Sequence, residues 1–272
     1  MRFLFKDELM IVWALFDSGN GCYTQAAMQC NAMPGYSIEI YPIGIDIESK
    51  NSHFINLNLA DYGRMFGDNT LFDTLDKLPQ PDLIIASPPC ESWSVASAMW
   101  GGNASWKQET SNDRKLSKFT IRNSVDYELP HVQFKYERSF LNRINGELCI
   151  YNTIEIIKRY QPSVYVIENP ASSRIWHYIA DILNFKIPFD NLTYYNNYGY
   201  KLRKPTRFKS NINLNLRCDK SIKADKDWGE FSKSYNERSN IPIPLILDIY
   251  ANVEKALKSN IQSLSQDGLF YG

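Results

Sequence analysis

Four short runs of the chain are apolar almost throughout, and each stops at a polar or Gly/Pro cluster. Residues 11–16 (IVWALF) lead into Asp17-Ser18-Gly19-Asn20-Gly21, and residues 43–47 (IGIDI) carry Asp46 and are followed by Glu48. Residues 83–86 (LIIA) lead into Ser87-Pro88-Pro89-Cys90, and residues 164–167 (VYVI) into Glu168-Asn169-Pro170. A strand without polar alternation is one buried on both faces, which is the condition of a parallel sheet covered by helices on each side. The expected architecture is therefore α/β, a doubly wound, mainly parallel sheet. In such sheets ligands bind beyond the carboxyl ends of the strands, so the four clusters are expected to converge on one crevice.

The rest of the chain fits around that sheet. Residues 23–30 are helix-compatible, and 241–258 (IPIPLILDIYANVEKALK) read as a helix with a proline-marked start. Two segments interrupt the alternation. Residues 94–145, rich in Ser, Asn, Trp and charge, read as a long mobile loop. Residues 209–238 are also polar, and in them Asn211, Asn213 and Asn215 alternate with Ile212, Leu214 and Leu216 as in a short amphipathic strand. Residues 1–208 and 239–272 are then one core domain, with 209–238 an insertion. The first sixteen residues are apolar but include Lys6, Asp7 and Glu8, so they read as neither a signal peptide nor a membrane span. A cytoplasmic protein with no membrane partner, monomeric by default, is expected.

The five cysteines lack CxxC spacing and the three histidines lie far apart, so neither a disulfide framework nor a metal site is expected. Cys90 stands out: two prolines rigidify the turn that carries it at a strand end, and Glu91, Ser92 and Ser94 mark the turn as accessible. Its plain alternative is a small buried hydrophobe, which is the reading for the other four. Gly19 and Gly21, between a strand and a helix, allow close approach of the backbone to a nucleoside-bearing ligand. Asp46, at the end of the next strand, could accept both hydroxyls of a ribose. Glu168 either faces the crevice or caps the helix that follows, a task Asn169 or Ser172 could perform instead.

In their order these residues resemble the cytosine carbon-5 DNA methyltransferases, of the compact phage and bacterial type. Phe16-Asp17-Ser18-Gly19-Asn20-Gly21 is similar to the family's Phe-x-Gly-x-Gly turn with one extra residue. Pro89-Cys90 matches its Pro-Cys motif, Glu168-Asn169-Pro170 its Glu-Asn-Val motif, and Ser239-Asn240-Ile241-Pro242 its last motif. The segment YNNYGYKLRKPTRF, residues 195–208, takes the place of the arginine-bearing motif. Glu91 stands where glutamine is usual, Trp93 for phenylalanine, Pro170 for valine and Ser239 for asparagine.

The resemblance implies the S-adenosylmethionine-dependent methyltransferase type of Rossmann-like sheet and S-adenosylmethionine as cofactor. Phe16, Asp17, Gly19, Gly21, Asp46, Asn58, Pro88 and Ser239 would hold it, with Asp61 the rival of Asn58 at the adenine. It implies that Cys90 adds to cytosine carbon 6, that Glu168 holds ring nitrogen 3 and the exocyclic amine, and that Arg203, or else Arg207 or Lys201, meets the ring oxygen. The partner would be DNA with its target base flipped out, in restriction-modification, phage protection or solitary methylation. Within the 94–145 catalytic and DNA-contact loop, Ser94 to about Arg122 would close over the site, and 209–238 would be a much reduced target-recognition segment. Trp106, Lys115, Lys201, Lys204, Arg207 and Lys209 are the expected nucleic-acid contacts. An RNA cytosine methyltransferase, or a non-catalytic subunit needing a partner, is the alternative.

The charge is consistent with this division. Lysines and arginines balance aspartates and glutamates at thirty each, yet residues 1–90 hold five basic against eleven acidic side chains, and residues 196–223 hold eight against one. A single basic face, whose nucleic-acid binding weakens with salt, is expected.

Overall fold

A computed structural model describes residues 9–18, 20–45, 51–94, 106–107, 120–121, 136–226 and 240–267. Seven strands form the main sheet: β1 (Met10–Leu15), β2 (Ile38–Gly44), β3 (Ile55–Asn56), β4 (Leu83–Ala86), β7 (Val164–Pro170), β8 (Phe189–Tyr194) and β9 (Pro205–Ser210). Two-residue strands β5 (Trp106–Lys107) and β6 (Thr120–Ile121) pair separately. The main sheet runs β3-β2-β1-β4-β7-β9-β8. Its first five strands are parallel, and β9 is antiparallel to both neighbours. This is the doubly wound, mainly parallel sheet expected from the sequence. The chain goes outward from β1 to one side, returns to β4, and proceeds to the other, so the order reverses between β1 and β4.

Each central strand divides its side chains between two cores. Val12 and Ala14 of β1, Leu83 and Ile85 of β4, and Val164 and Val166 of β7 face helices α1 (Cys22–Asn31) and α5 (Ile243–Asp267). Trp13 and Leu15, Ile84 and Ala86, and Tyr165 and Ile167 face α2 (Thr70–Leu75), α3 (Tyr136–Tyr160) and α4 (Ile175–His177). That two-sided burial is why the runs lack polar alternation, and each fully buried Leu or Ile contributes about 1.5–3 kcal/mol.

The structure alters four of the sequence expectations. Strand β2 starts at Ile38 and ends at Gly44, earlier than the run 43–47. Pro42 is tolerated inside it because β3 pairs only with Ile43 and Gly44, so Pro42 lies on an open stretch of edge. Residues 136–145, expected as loop, are the first ten of α3. Residues 211–216 are not a strand. Asn211 instead accepts a hydrogen bond from Tyr165 N (2.9 Å) and donates to Ser163 O (2.9 Å), while Leu214 is fully buried against the α1/α5 core. Residues 209 and 210, assigned above to the insertion, complete β9. Among the described residues no helix is long and apolar enough to cross a membrane.

Candidate active site

The strand register brings the four polar clusters to one edge. Leu15 is paired with Ile43 on one side and Ala86 on the other, and Ala86 with Ile167. The residues that follow this row are therefore Phe16, Gly44, Ser87 and Glu168, side by side at the carboxyl ends of four adjacent parallel strands.

At the first of these ends the chain reverses sharply. Phe16 takes a positive φ of 66° and its N–H donates to Ile43 O at 2.7 Å. The turn directs Asp17, 4% exposed, to the N-terminus of α1, where its carboxylate accepts from Gly21 N (3.0 Å), Thr24 N (3.0 Å) and the Thr24 hydroxyl (3.1 Å). Gly21 is required here by space: a Cβ on it would lie 2.0 Å from Asp17 Oδ1. The end of α1 that in dinucleotide folds receives a pyrophosphate is thus already filled by the protein's own carboxylate. Such a crevice suits a cofactor without phosphates. Beside it Phe16 is half-buried and Ile45 is 67% exposed. Ile45 falls inside the expected run 43–47, and the structure puts it one residue beyond β2.

The third and fourth ends bring Cys90 and Glu168 to neighbouring positions. Cys90 is half-buried, and its carbonyl accepts from Trp93 N (3.0 Å) and Ser94 N (2.8 Å), closing a tight turn. That turn is anchored more deeply than its composition suggests. Ser92 and Trp93 are 3% and 0% exposed, the Ser92 hydroxyl bonds Asn142 O, and Trp93 packs on Tyr178 at 4.8 Å. Gly146 of α3 makes room for them, since a Cβ there would meet Ser92 Oγ at 2.8 Å. On β7, Asn169 donates to Pro88 O (2.9 Å) and so ties the Pro-Pro-Cys turn to the strand bearing Glu168.

Glu168 is 7% exposed and faces the crevice rather than capping a helix. Its carboxylate is hydrogen-bonded by the Tyr195 hydroxyl (3.3 Å). Burial raises its pKa, and Lys204, Ser87 and Tyr195 oppose the rise. Burial, followed by the charge of Glu168, raises the Cys90 thiol, while Lys204 lowers it. Cys90, Glu168 and Lys204 are therefore electrostatically coupled.

The cation in this group is Lys204, expected only as a nucleic-acid contact; its Nζ lies 4.9 Å from the Tyr195 ring centroid. Arg203 is exposed, with its guanidinium 4.7 Å over Tyr194. Arg207 bridges Asp190 (3.1 Å), and half-buried Lys209 lies 5.3 Å over Trp176. Lys201 is exposed, and its carbonyl accepts from Asp225 N (3.0 Å) and Lys226 N (3.1 Å). These bonds bring exposed Lys226 alongside Lys201, and Asn196 donates to Ile222 O (2.8 Å), between the exposed Lys220 and Lys223.

Asn58 is exposed and accepts from Ala60 N (3.0 Å); Asp61 accepts from Gly63 N (3.2 Å) at the start of a short 3-10 turn. Pro88 is buried in the turn. Gly19, Asp46, Lys115 and Ser239 lie outside the described residues, as does most of the 94–145 loop, and the Trp106 side chain is not described. Among the described residues no group of His, Cys, Asp and Glu could hold a metal ion.

No protein-family model matches this chain, and no curated protein matches it. Among solved structures it is similar to one from E. coli described as a "putative DNA modification methyltransferase encoded within prophage", with 13% identity, a TM-score of 0.41, and coverage of 80% of this chain and 51% of the other. The chain spans about half the length of that protein.

Proposed function

We propose that this protein transfers a methyl group from S-adenosylmethionine to carbon 5 of cytosine in DNA. The observation that carries the reading is the placement of Cys90 and Glu168 at the carboxyl ends of adjacent parallel strands, tied together by the 2.9 Å bond from Asn169 to Pro88 O. Carbon 5 is a poor nucleophile until the ring's aromaticity is broken. The Cys90 thiolate breaks it by adding to carbon 6, while Glu168 in its acid form donates to ring nitrogen 3 and so compensates the negative charge that addition creates. A protonated Glu168 also ceases to repel the thiolate, so the two requirements reinforce each other. Lys204 favours the thiolate and is the cation available to the ring oxygen. S-adenosylmethionine, when bound, supplies the electrophilic sulfonium methyl. Once carbon 5 carries the methyl, its proton passes to water, Cys90 departs as the thiolate and the ring nitrogen 3 proton returns to Glu168, which restores the aromatic ring and both residues.

The cofactor reading draws on the filled end of α1 and on the acidic excess of residues 1–90, which suit a cationic ligand that bears no phosphate. Phe16, Ile45 and the backbone of the turn through Gly21 would hold it. The nucleic-acid reading draws on the exposed Lys201, Arg203, Lys220, Lys223 and Lys226, carried on two segments that the Lys201–Lys226 and Asn196–Ile222 bonds join. Neutralising Z phosphates would give log K a slope of about −0.9Z against log salt on duplex DNA.

The test is transfer of labelled methyl to duplex DNA, single-stranded DNA and RNA, with the product base identified. Label in 5-methylcytosine of DNA, abolished in Cys90→Ser while cofactor binding survives, supports the reading. Label confined to RNA transfers the same chemistry to another substrate. A cofactor-binding protein that forms no adduct with 5-fluorocytosine in any of the three overturns it.

A further inference from the structure

Three hydroxyls from separate elements meet around the Glu168 carboxyl. Tyr195, fully buried after β8, donates to Oε1 at 3.3 Å. Ser87, at the end of β4 and beside Glu168 in the row of strand ends, pairs with the Tyr23 hydroxyl at 2.5 Å. Either hydroxyl can donate in the Tyr23–Ser87 pair, so Tyr23 holds Ser87 in place whichever oxygen carries the shared proton. The chain runs Tyr23 to Ser87 to Glu168, with Tyr195 entering from the other side. Tyr23 is 3% exposed and sits two residues after Gly21 in the first turn of α1.

We propose that Tyr195, and Tyr23 acting through Ser87, are positioning residues that fix the orientation of the Glu168 carboxyl toward the base. For packing alone, phenylalanine at both tyrosine positions would fill the same space, and a buried polar network is not retained for stability in itself. Its geometry has a use: Tyr195 on one side and Ser87, held by Tyr23, on the other fix the plane of the carboxyl and leave its remaining capacity for ring nitrogen 3 and the exocyclic amine. The charged or titratable groups facing this network are Lys204 from the loop before β9, Cys90 from the turn after β4, and Asp17 toward Tyr23. The inference rests on the reading of Glu168 as the acid that holds the base.

The test uses the full chain with 13C-labelled glutamate carboxyls, the Glu168 resonance being assigned by its absence in Glu168→Gln. In Tyr195→Phe the titration midpoint of that resonance rises by about one unit, since a donor to the charged form has been lost. In Tyr23→Phe it rises by less. In methyl transfer, kcat falls by about tenfold or more in Tyr195→Phe, KM for the cofactor is unchanged, and the falling limb of the pH–rate profile moves up with the midpoint. A Glu168 titration unmoved in either folded variant overturns the proposal, even if thermal stability drops. Should Tyr195→Phe fail to fold, Tyr23→Phe decides by the same readout. A shifted titration in a protein that transfers no methyl would leave the positioning role standing and refute the proposed reaction instead.

Discussion

Replacing Gly21 by alanine tests whether the turn after β1 is organised around Asp17. The backbone at Gly21 (φ −76°, ψ −179°) suits any residue, so conformational strain contributes nothing and only the added Cβ matters. At 2.0 Å from Asp17 Oδ1 that carbon cannot be accommodated. The carboxylate must leave the end of α1 and give up its bonds to Gly21 N, Thr24 N and the Thr24 hydroxyl. Hydrogen bonds to a charged group are worth about 1.5–3 kcal/mol each, and water replaces some of what is lost, so the expected cost is about 3–5 kcal/mol. Asp17→Ala should cost about the same, because it removes the same bonds. The double variant should then cost no more than Asp17→Ala alone, since the atom that obstructs the Cβ has gone and alanine at a compatible φ is neutral to slightly favourable. Chemical denaturation of wild type, both single variants and the double variant gives the cycle. A coupling energy of several kcal/mol is expected; additive losses would show that Gly21 and Asp17 act separately and refute the account of the turn.

Three further outcomes follow from the geometry. Gly146→Ala pushes α3 against Ser92 and Trp93, so methyl transfer should fall by more than the loss of folded protein explains; activity that tracks the folded fraction would detach α3 from the Cys90 turn. Cys90 alkylation, followed by peptide mass spectrometry at pH 7.5, should slow in Lys204→Met and quicken in Glu168→Gln, since the lysine lowers and the glutamate raises the thiol pKa; equal rates in all three proteins would remove the coupling. Burial raises the Glu168 pKa above its ordinary 4.5, so its stabilising contribution is complete below that value and is lost as pH rises through the folded one. Glu168→Gln, which stays neutral, should therefore gain stability over wild type at pH 8 and not at pH 4, and a difference independent of pH would refute the sign.

What the sequence made legible was set by burial on two faces. The runs at 11–16, 83–86 and 164–167 have nothing polar to offer because both faces are covered, and the structure finds strands there within a few residues. The same rule hid the first half of β2, whose Glu39 and Tyr41 alternate with Ile38 and Ile40 beside an open edge. Strands β8 and β9 escaped notice for a related reason. In β9 only Thr206, Phe208 and Ser210 are buried, so half its residues are charged or prolyl and the segment reads as a basic loop. Asn211, Asn213 and Asn215 misled in the opposite direction, because a period of two arises equally from turns whose side chains bond nearby backbone. Asn211 accepts from Tyr165 N and Asn213 from Asn215 N at 3.0 Å.

The pleat also explains why the sequence could not assign the cations. Between 201 and 209 the chain offers Lys201, Arg203, Lys204, Arg207 and Lys209, and composition treats them alike. Once β9 is paired with β7 so that Phe208 lies opposite Glu168, parity fixes the last two. Arg207 and Lys209 lie on the face opposite Phe208, toward Asp190 and Trp176 and away from the α1 core. Just before the strand, Arg203 and Lys204 are separated by one residue's rotation, and that sends one to Tyr194 and the other over Tyr195 to the Cys90–Glu168 pair. A one-residue slip of β9 would reverse every one of these assignments. Which of these cations lies toward the Cys90–Glu168 pair is thus a property of strand register, set by the pairing of β9 with both β7 and β8.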